Sequence, residues 1–159
     1  MSIIVAITGT PATGKTSIAK ALAKKLGWKL VELNKLAAQK GCFCGYDRQR
    51  KVKIVDVEKV KKQVQKLPGN LVIESHYAHD LPNDLTVVLR CSIAELRKRM
   101  EKKGWTHEKI EENAQAEIME ICKSEALELN RNVLEIDTTR KNPGDLVGDI
   151  EKTIKGITV

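Results

Sequence analysis

Three observations in the sequence predict an α/β fold, a parallel sheet with helices on both faces. Short apolar runs alternate with segments of helical periodicity. The first apolar run ends on Gly9-Thr10-Pro11-Ala12-Thr13-Gly14-Lys15-Thr16, which fits G-x-x-x-x-G-K-[S/T] at every defined position. The chain has 159 residues, 42% hydrophobic and 31% charged, enough for one domain with a sizeable core, so residues 1–159 are read as a single unit.

The elements follow in order. Ile3 to Thr8 is a β-rich run leading into a Gly-rich turn and reads as a buried strand. From Thr16 to Leu26, the positions Ile18, Ala19, Leu22, Ala23 and Leu26 recur at helical spacing, and Gly27 stops the helix. Lys29 to Leu33 reads as a second strand, and Asn34 to Lys53 as irregular, with Gly41 and Gly45 inside it. Asp56 can cap a helix whose Val57, Val60 and Val64 share a face, closed by Pro68-Gly69. Leu71 to Ile73 and Leu85 to Leu89 are further strands. Ile93 to Lys103 and Thr106 to Arg131 read as helices, the second with Ile110, Ala114, Ile118 and Ile121 as its apolar face. Val133 to Ile136 is a fifth strand and Asp145 to Ile154 a final helix.

The glycine-rich segment has the required context, a strand before it and a helix after it. Gly9 and Gly14 permit backbone angles and close approach that a Cβ would obstruct. The loop N–H groups then converge on phosphate oxygens, aided by the positive end of the following helix. Lys15 is placed for the β- and γ-phosphates of a nucleoside triphosphate, and the Thr16 hydroxyl for Mg²⁺. The implied ligand is ATP with magnesium. Beyond the strand Leu71–Ile73 lie Glu74 and His76, two residues apart and able to face the same way at the carboxyl end of a parallel strand. Glu74 could hold the magnesium through its water shell, and His76 could orient or deprotonate an attacking water or hydroxyl. Ordinary hydrogen bonding at a polar strand end is the structural alternative. His79-Asp80 reads as loop. In the basic stretch Arg97, Lys98, Arg99, Lys102 and Lys103, the cation beside the Gly104 turn, Lys103, is the candidate to cover the phosphates from a lid. A solvated helix face accounts for the others.

Net charge is +7. Nine Lys or Arg against three acids between Lys35 and Lys62 supply most of it, which favours anionic partners or, equally, a solvated surface. No apolar run approaches the roughly 20 residues of a membrane span. The start, Met1-Ser2-Ile3-Ile4-Val5, has no secretory pattern, so an intracellular, cytoplasmic location is expected. Cys42, Cys44, Cys91 and Cys122 are too scattered for a disulfide framework, and the Cys42-Phe43-Cys44 spacing is too short for common zinc sites.

Further segments occur in a telling order: Ile54-Val55-Asp56, Val72-Ile73-Glu74-Ser75-His76, Val88-Leu89-Arg90, Lys103-Gly104-Trp105, and Asn113 with Glu117-Ile118. With the phosphate loop, this series resembles the adenylate kinase isoenzyme 6 family over nearly the whole chain. The resemblance implies a nucleoside monophosphate kinase-like three-layer P-loop fold with a parallel five-stranded sheet and a short lid. It also implies ATPase and adenylate kinase activity, converting ATP and AMP to two ADP. A role in small ribosomal subunit and rRNA maturation is implied as well. The partner there would be a platform ribosomal protein, the eleventh universal protein of that subunit, with rRNA as a further contact. By position, Ala12, Gly14, Lys15, Thr16 and Ser17 would form the ATP loop and Lys103 the lid cation, with Glu74 and His76 in the catalytic step. Residues 34–53 would form the monophosphate-binding region and 102–112 the lid.

Three positions depart from the family pattern: Glu74 for a more usual Asp, Lys103 for Arg, and Ala38 where an arginine for the monophosphate is often found. The last weakens the case for efficient AMP phosphorylation unless Arg48 or Arg50 substitutes. Two alternatives therefore stand beside the first reading: a small-molecule kinase on the same fold, and a nucleotide-dependent ribosomal-protein binding module with incidental turnover.

Overall fold

A computed structural model describes residues 2–158. Five parallel strands form the sheet: β1 (Ile4–Gly9), β2 (Lys29–Glu32), β5 (Leu71–Glu74), β6 (Leu85–Arg90) and β7 (Val133–Asp137), in the order β2-β5-β1-β6-β7. A separate antiparallel hairpin pairs β3 (Phe43–Asp47) with β4 (Val52–Val55). The helices are α1 (Lys15–Leu26), α2 (Leu33–Lys40), α3 (Val57–Gln65), α4 (Ile93–Lys102), α5 (His107–Ile118), α6 (Ile121–Leu129) and α7 (Pro143–Ile157).

Alternation along the strands sends side chains to two faces. Val5 and Ile7 of β1 join Leu85, Val87 and Leu89 of β6 under α1 and α7, which contribute Ile18, Leu22, Leu146 and Ile150. Ala6, Leu71 and Ile73 face the other way, against Leu33 and Ala37 of α2 and Val60 and Val64 of α3. A smaller core lies between α4 and α5, where Cys91, Leu96, Met100, Ile110 and Ala114 pack with Ala12 and Trp105. Among the described residues, no helix is long and apolar enough to cross a membrane.

This topology fixes where a ligand can enter. The chain moves from β1 outward to β2, returns through β5, and then crosses to β6 on the opposite side of β1. The carboxyl end of β1 is thus the switch point of the sheet, the place where an open parallel sheet leaves a crevice.

Two expectations are corrected. Residues 34–53 are not irregular: α2 and the β3–β4 hairpin occupy them. Leu33 and Ala37 bury one side of α2, Gly41 ends it at φ 64°, and Cys42 is buried while Cys44 is exposed. That opposed orientation argues against Cys42 and Cys44 as a metal pair, and no disulfide occurs among the described residues. The long helix expected from Thr106 to Arg131 is two helices, broken at Glu120, whose φ is 55°. Its buried face is Ile110, Ala114 and Glu117, not Ile118 and Ile121, which are 52% and 40% exposed. A polar anchor at Glu117 thus sets the phase of α5.

The turn after β1 generates the first prediction. A Cβ on Gly9, at φ 149°, would lie 2.8 Å from the Leu89 carbonyl oxygen and 2.9 Å from Thr13 Oγ1. A Cβ on Gly14, at φ 98°, would meet nothing within 4 Å. Gly14→Ala should cost only the backbone term, about 1–2 kcal/mol. Gly9→Ala should cost about 1–3 kcal/mol more through overpacking. Urea unfolding of both variants checks the ranking; equal losses would contradict it.

Candidate active site

The carboxyl ends of β1, β5 and β7 open onto a cleft of about 540 Å³. All eight residues singled out from the sequence line it: Ala12, Gly14, Lys15, Thr16, Ser17, Glu74, His76 and Lys103. The floor is the loop from Gly9 to Gly14, with α1 starting at Lys15 behind a left-handed Gly14. Ala12 also has a positive φ, 73°, a conformation that costs a residue with a Cβ about 1–2 kcal/mol. Arg99 Nη1 donates to the Ala12 carbonyl at 3.3 Å, and Ala12 packs on the α4–α5 core.

Lys15 reaches back over the loop, its Nζ donating to the Thr10 carbonyl at 3.2 Å. Removal from water pushes its pKa down to about 8, despite Glu74 pulling the other way. Parallel pairing sets Glu74 beside Ile7 of β1. There its Oε2 accepts from Thr16 Oγ1 at 3.4 Å. Burial raises the Glu74 pKa, with Lys15 opposing. His76 is exposed at the mouth of the cleft, yet partial desolvation and then the Lys15 charge lower its pKa, so the imidazole is neutral at pH 7. Across the cleft Lys103 and Lys109 both lie over the Trp105 ring, 5.4 Å and 3.9 Å from its centroid. These cations sit where α4 turns into α5 through Gly104, at φ 73°.

Three features escaped the sequence reading. Arg99, one helical turn before Lys103, bridges the phosphate loop and the end of β7: besides Ala12 it donates Nη2 to the Thr138 carbonyl at 2.7 Å. The four-residue spacing of Arg99 and Lys103 was the available signal. Thr138 follows β7 and donates its hydroxyl to the Thr13 carbonyl at 2.7 Å; applying the strand-end rule to every strand, not only β5, would have found it. His79 is only 2% exposed, with Nδ1 2.6 Å from Thr8 Oγ1 and Nε2 3.0 Å from Glu125 Oε2. It locks a 3₁₀ turn, Ala78–Asp80, against the last turn of β1 and α6.

Fold and cleft together are those of a P-loop protein with the nucleoside monophosphate kinase-like fold. Residues 5–120 match the family described as AAA domain. A protein of Methanosarcina acetivorans named "Putative adenylate kinase" is 38% identical across 98% of this chain and 88% of its own length. A Pyrococcus abyssi protein of the same name is 40% identical across 96% of this chain and 84% of its own. This chain belongs to that adenylate kinase-like P-loop family. In structure it is similar to the shikimate kinase of Acinetobacter baumannii solved with shikimate, with TM-score 0.69 and 13% identity over 98% of this chain and 94% of that one. The deoxyadenosine kinase of M. mycoides gives TM-score 0.63 and 16% identity over 98% and 100%. At those identities the likeness is one of fold.

A lysine with a pKa near 8 takes up a proton when a polyanion arrives. At pH 8 about half the Lys15 amines are neutral, so binding of a magnesium nucleotide should take up close to half a proton. Uptake should fade as pH drops towards 6.5, where the amine is already charged. Calorimetry in buffers of different ionisation enthalpy measures it, with Lys15→Arg as control. Equal uptake by wild type and Lys15→Arg would contradict the assignment.

Proposed function

We propose that the cleft binds ATP with Mg²⁺ and transfers the γ-phosphoryl group to AMP, giving two ADP, and also to water. The observation that carries this reading is the convergence of Lys15, Thr16, Glu74 and His76 at the sheet's switch point, opposite Arg99 and Lys103. The relatives' names agree with it.

The loop N–H groups and the start of α1 receive the phosphates, and Lys15 exchanges the Thr10 carbonyl for phosphate oxygens. The residues present suit magnesium, since an alcohol and a carboxylate already stand 3.4 Å apart. Thr16 would ligate it and Glu74 hold its water shell, and when bound the ion neutralises charge on the β- and γ-phosphate oxygens. Lys103 and Arg99 face the transferring group from the other wall. An acceptor phosphate oxygen forms the new bond to γ-phosphorus as the bond to the β–γ bridging oxygen breaks, and ADP keeps that oxygen. His76, neutral at pH 7, orients the acceptor, or takes the proton when the acceptor is water.

Residues 34–53 form the monophosphate arm in this proposal, and 102–112 the lid. Asn34 lines the cleft, Ala38 is exposed on α2, and Arg50 at the hairpin tip pairs with Glu112 of α5. Arg50 is therefore held on the lid side and is available to an acceptor only by leaving Glu112. On the family resemblance, we assign the chain to cytoplasmic small ribosomal subunit maturation. Its basic arm would contact the platform ribosomal protein or rRNA.

ATP consumption alone, with AMP, and with the platform ribosomal protein separates the readings. AMP-dependent ADP formation supports the kinase; stimulation by the ribosomal protein alone supports the binding module. Lys15→Ala and Thr16→Ala should abolish turnover in folded protein. His76→Ala should keep ATP affinity within a few-fold and lower turnover by about 10²- to 10⁴-fold. Equal loss of affinity and turnover would make His76 structural. The acid limb of wild-type turnover should fall below pH 6.5, because His76 titrates below that ordinary value and works as the neutral ring.

A further inference from the structure

Glu117 is a carboxylate with only 2% exposure, in the last turn of α5, and the transfer chemistry does not use it. Such burial is tolerated only where every oxygen is paired. Its Oε1 accepts from Thr10 Oγ1 at 3.0 Å. Its Oε2 accepts from Arg90 Nε at 3.1 Å and from the Cys91 backbone N–H at 3.0 Å. Arg90 Nη2 also donates to the Glu117 carbonyl at 3.1 Å. One side chain therefore joins three pieces of chain: the phosphate loop, the end of β6, and the last turn of α5.

Thr10 is the peptide this arrangement controls. Its carbonyl accepts from Lys15 Nζ at 3.2 Å, from Thr13 Oγ1 at 2.7 Å and from Thr13 N at 3.3 Å. Fixing the Thr10 hydroxyl on Glu117 fixes that carbonyl, and with it the curl of the loop and the resting place of Lys15. The opposite end of α5 begins at the Trp105 turn, where Lys103 and Lys109 face the ring. Three residues beyond Glu117 the chain breaks at Glu120, which also pairs with Arg90, at 3.4 Å. Helix α5 is thus pinned at its carboxyl end to the loop of residues 9–14.

We propose that Glu117 is a positioning residue that couples helix α5 to the phosphate loop through the Thr10 hydroxyl, and so sets nucleotide affinity. This rests on the nucleotide-binding reading of the cleft. Thr10→Val removes the hydroxyl at constant shape and leaves the Glu117–Arg90 pair in place. Magnesium-ADP affinity of that variant, by calorimetry, should fall about 10- to 100-fold, the worth of one hydrogen bond to a charged group. Thr10→Ser should restore it to within about threefold. Glu117→Gln keeps an amide facing the Thr10 oxygen and replaces only the charged acceptor, so it should weaken binding by less than Thr10→Val does. Should Glu117→Gln fail to fold, the Thr10→Val and Thr10→Ser pair decides alone. Wild-type affinity in Thr10→Val, or a Thr10→Ser variant as weak as Thr10→Val, overturns the coupling while the nucleotide reading stands. Failure of the wild-type chain to bind magnesium-ADP overturns both.

Discussion

The cleft depends on one constraint: residues 9–14 must hold a sharply curled path against the ordinary backbone preference of a residue with a Cβ. Gly9, Ala12 and Gly14 all have positive φ, and only two of them are glycine. The conformational cost at Ala12 is offset from outside the loop. Arg99 takes its carbonyl, Thr138 takes that of Thr13, and Glu117 takes the Thr10 hydroxyl. Each clamp comes from a different element, so α4, the exit of β7 and the end of α5 all enforce the geometry of a loop they do not adjoin in sequence. Preorganisation of this kind is what allows backbone dipoles to favour transferring charge without reorganising first.

The same enclosure tunes the charges. Withdrawal from water lowers the pKa of Lys15, raises that of Glu74 and lowers that of His76. All three shifts have burial as their largest cause, and all favour the neutral form. A polyanion arriving at the cleft would favour the charged form of Lys15, so ligand binding and ionisation are linked there. Burial and the neighbouring Lys15 charge both favour the neutral imidazole of His76.

Much of this was legible in the sequence, for definite reasons. The loop motif encodes its own geometry through Gly9, Gly14, Lys15 and Thr16, and the five strands follow from short apolar runs between helical periods. Glu74 and His76 followed from the rule that parallel sheets place ligands at strand ends. What the sequence concealed depends on long-range pairing. Glu117 looked polar and Ile118 apolar, so periodicity put the wrong one inside; donors distant in the chain, from Thr10, Arg90 and Cys91, make the buried carboxylate favourable. His79 read as loop because its partners, Thr8 and Glu125, lie 71 and 46 residues away. The arm at 34–53 read as irregular because its hairpin is largely exposed and β3, Phe43–Asp47, lacks alternation of apolar and polar residues.

The central claim is that one cleft accommodates a donor on the phosphate loop and an acceptor beside His76 and Asn34. A crystal structure with magnesium and diadenosine pentaphosphate, which carries both nucleosides on one polyphosphate, tests it most directly. The account predicts phosphates along the N–H groups of residues 13–17 and Lys15 Nζ moved from the Thr10 carbonyl onto them. One adenosine should lie towards Arg99 and Thr138, the other towards Asn34 and the β3–β4 arm. A polyphosphate bound away from the loop, or a second adenosine outside the Asn34 side of the cleft, would contradict it.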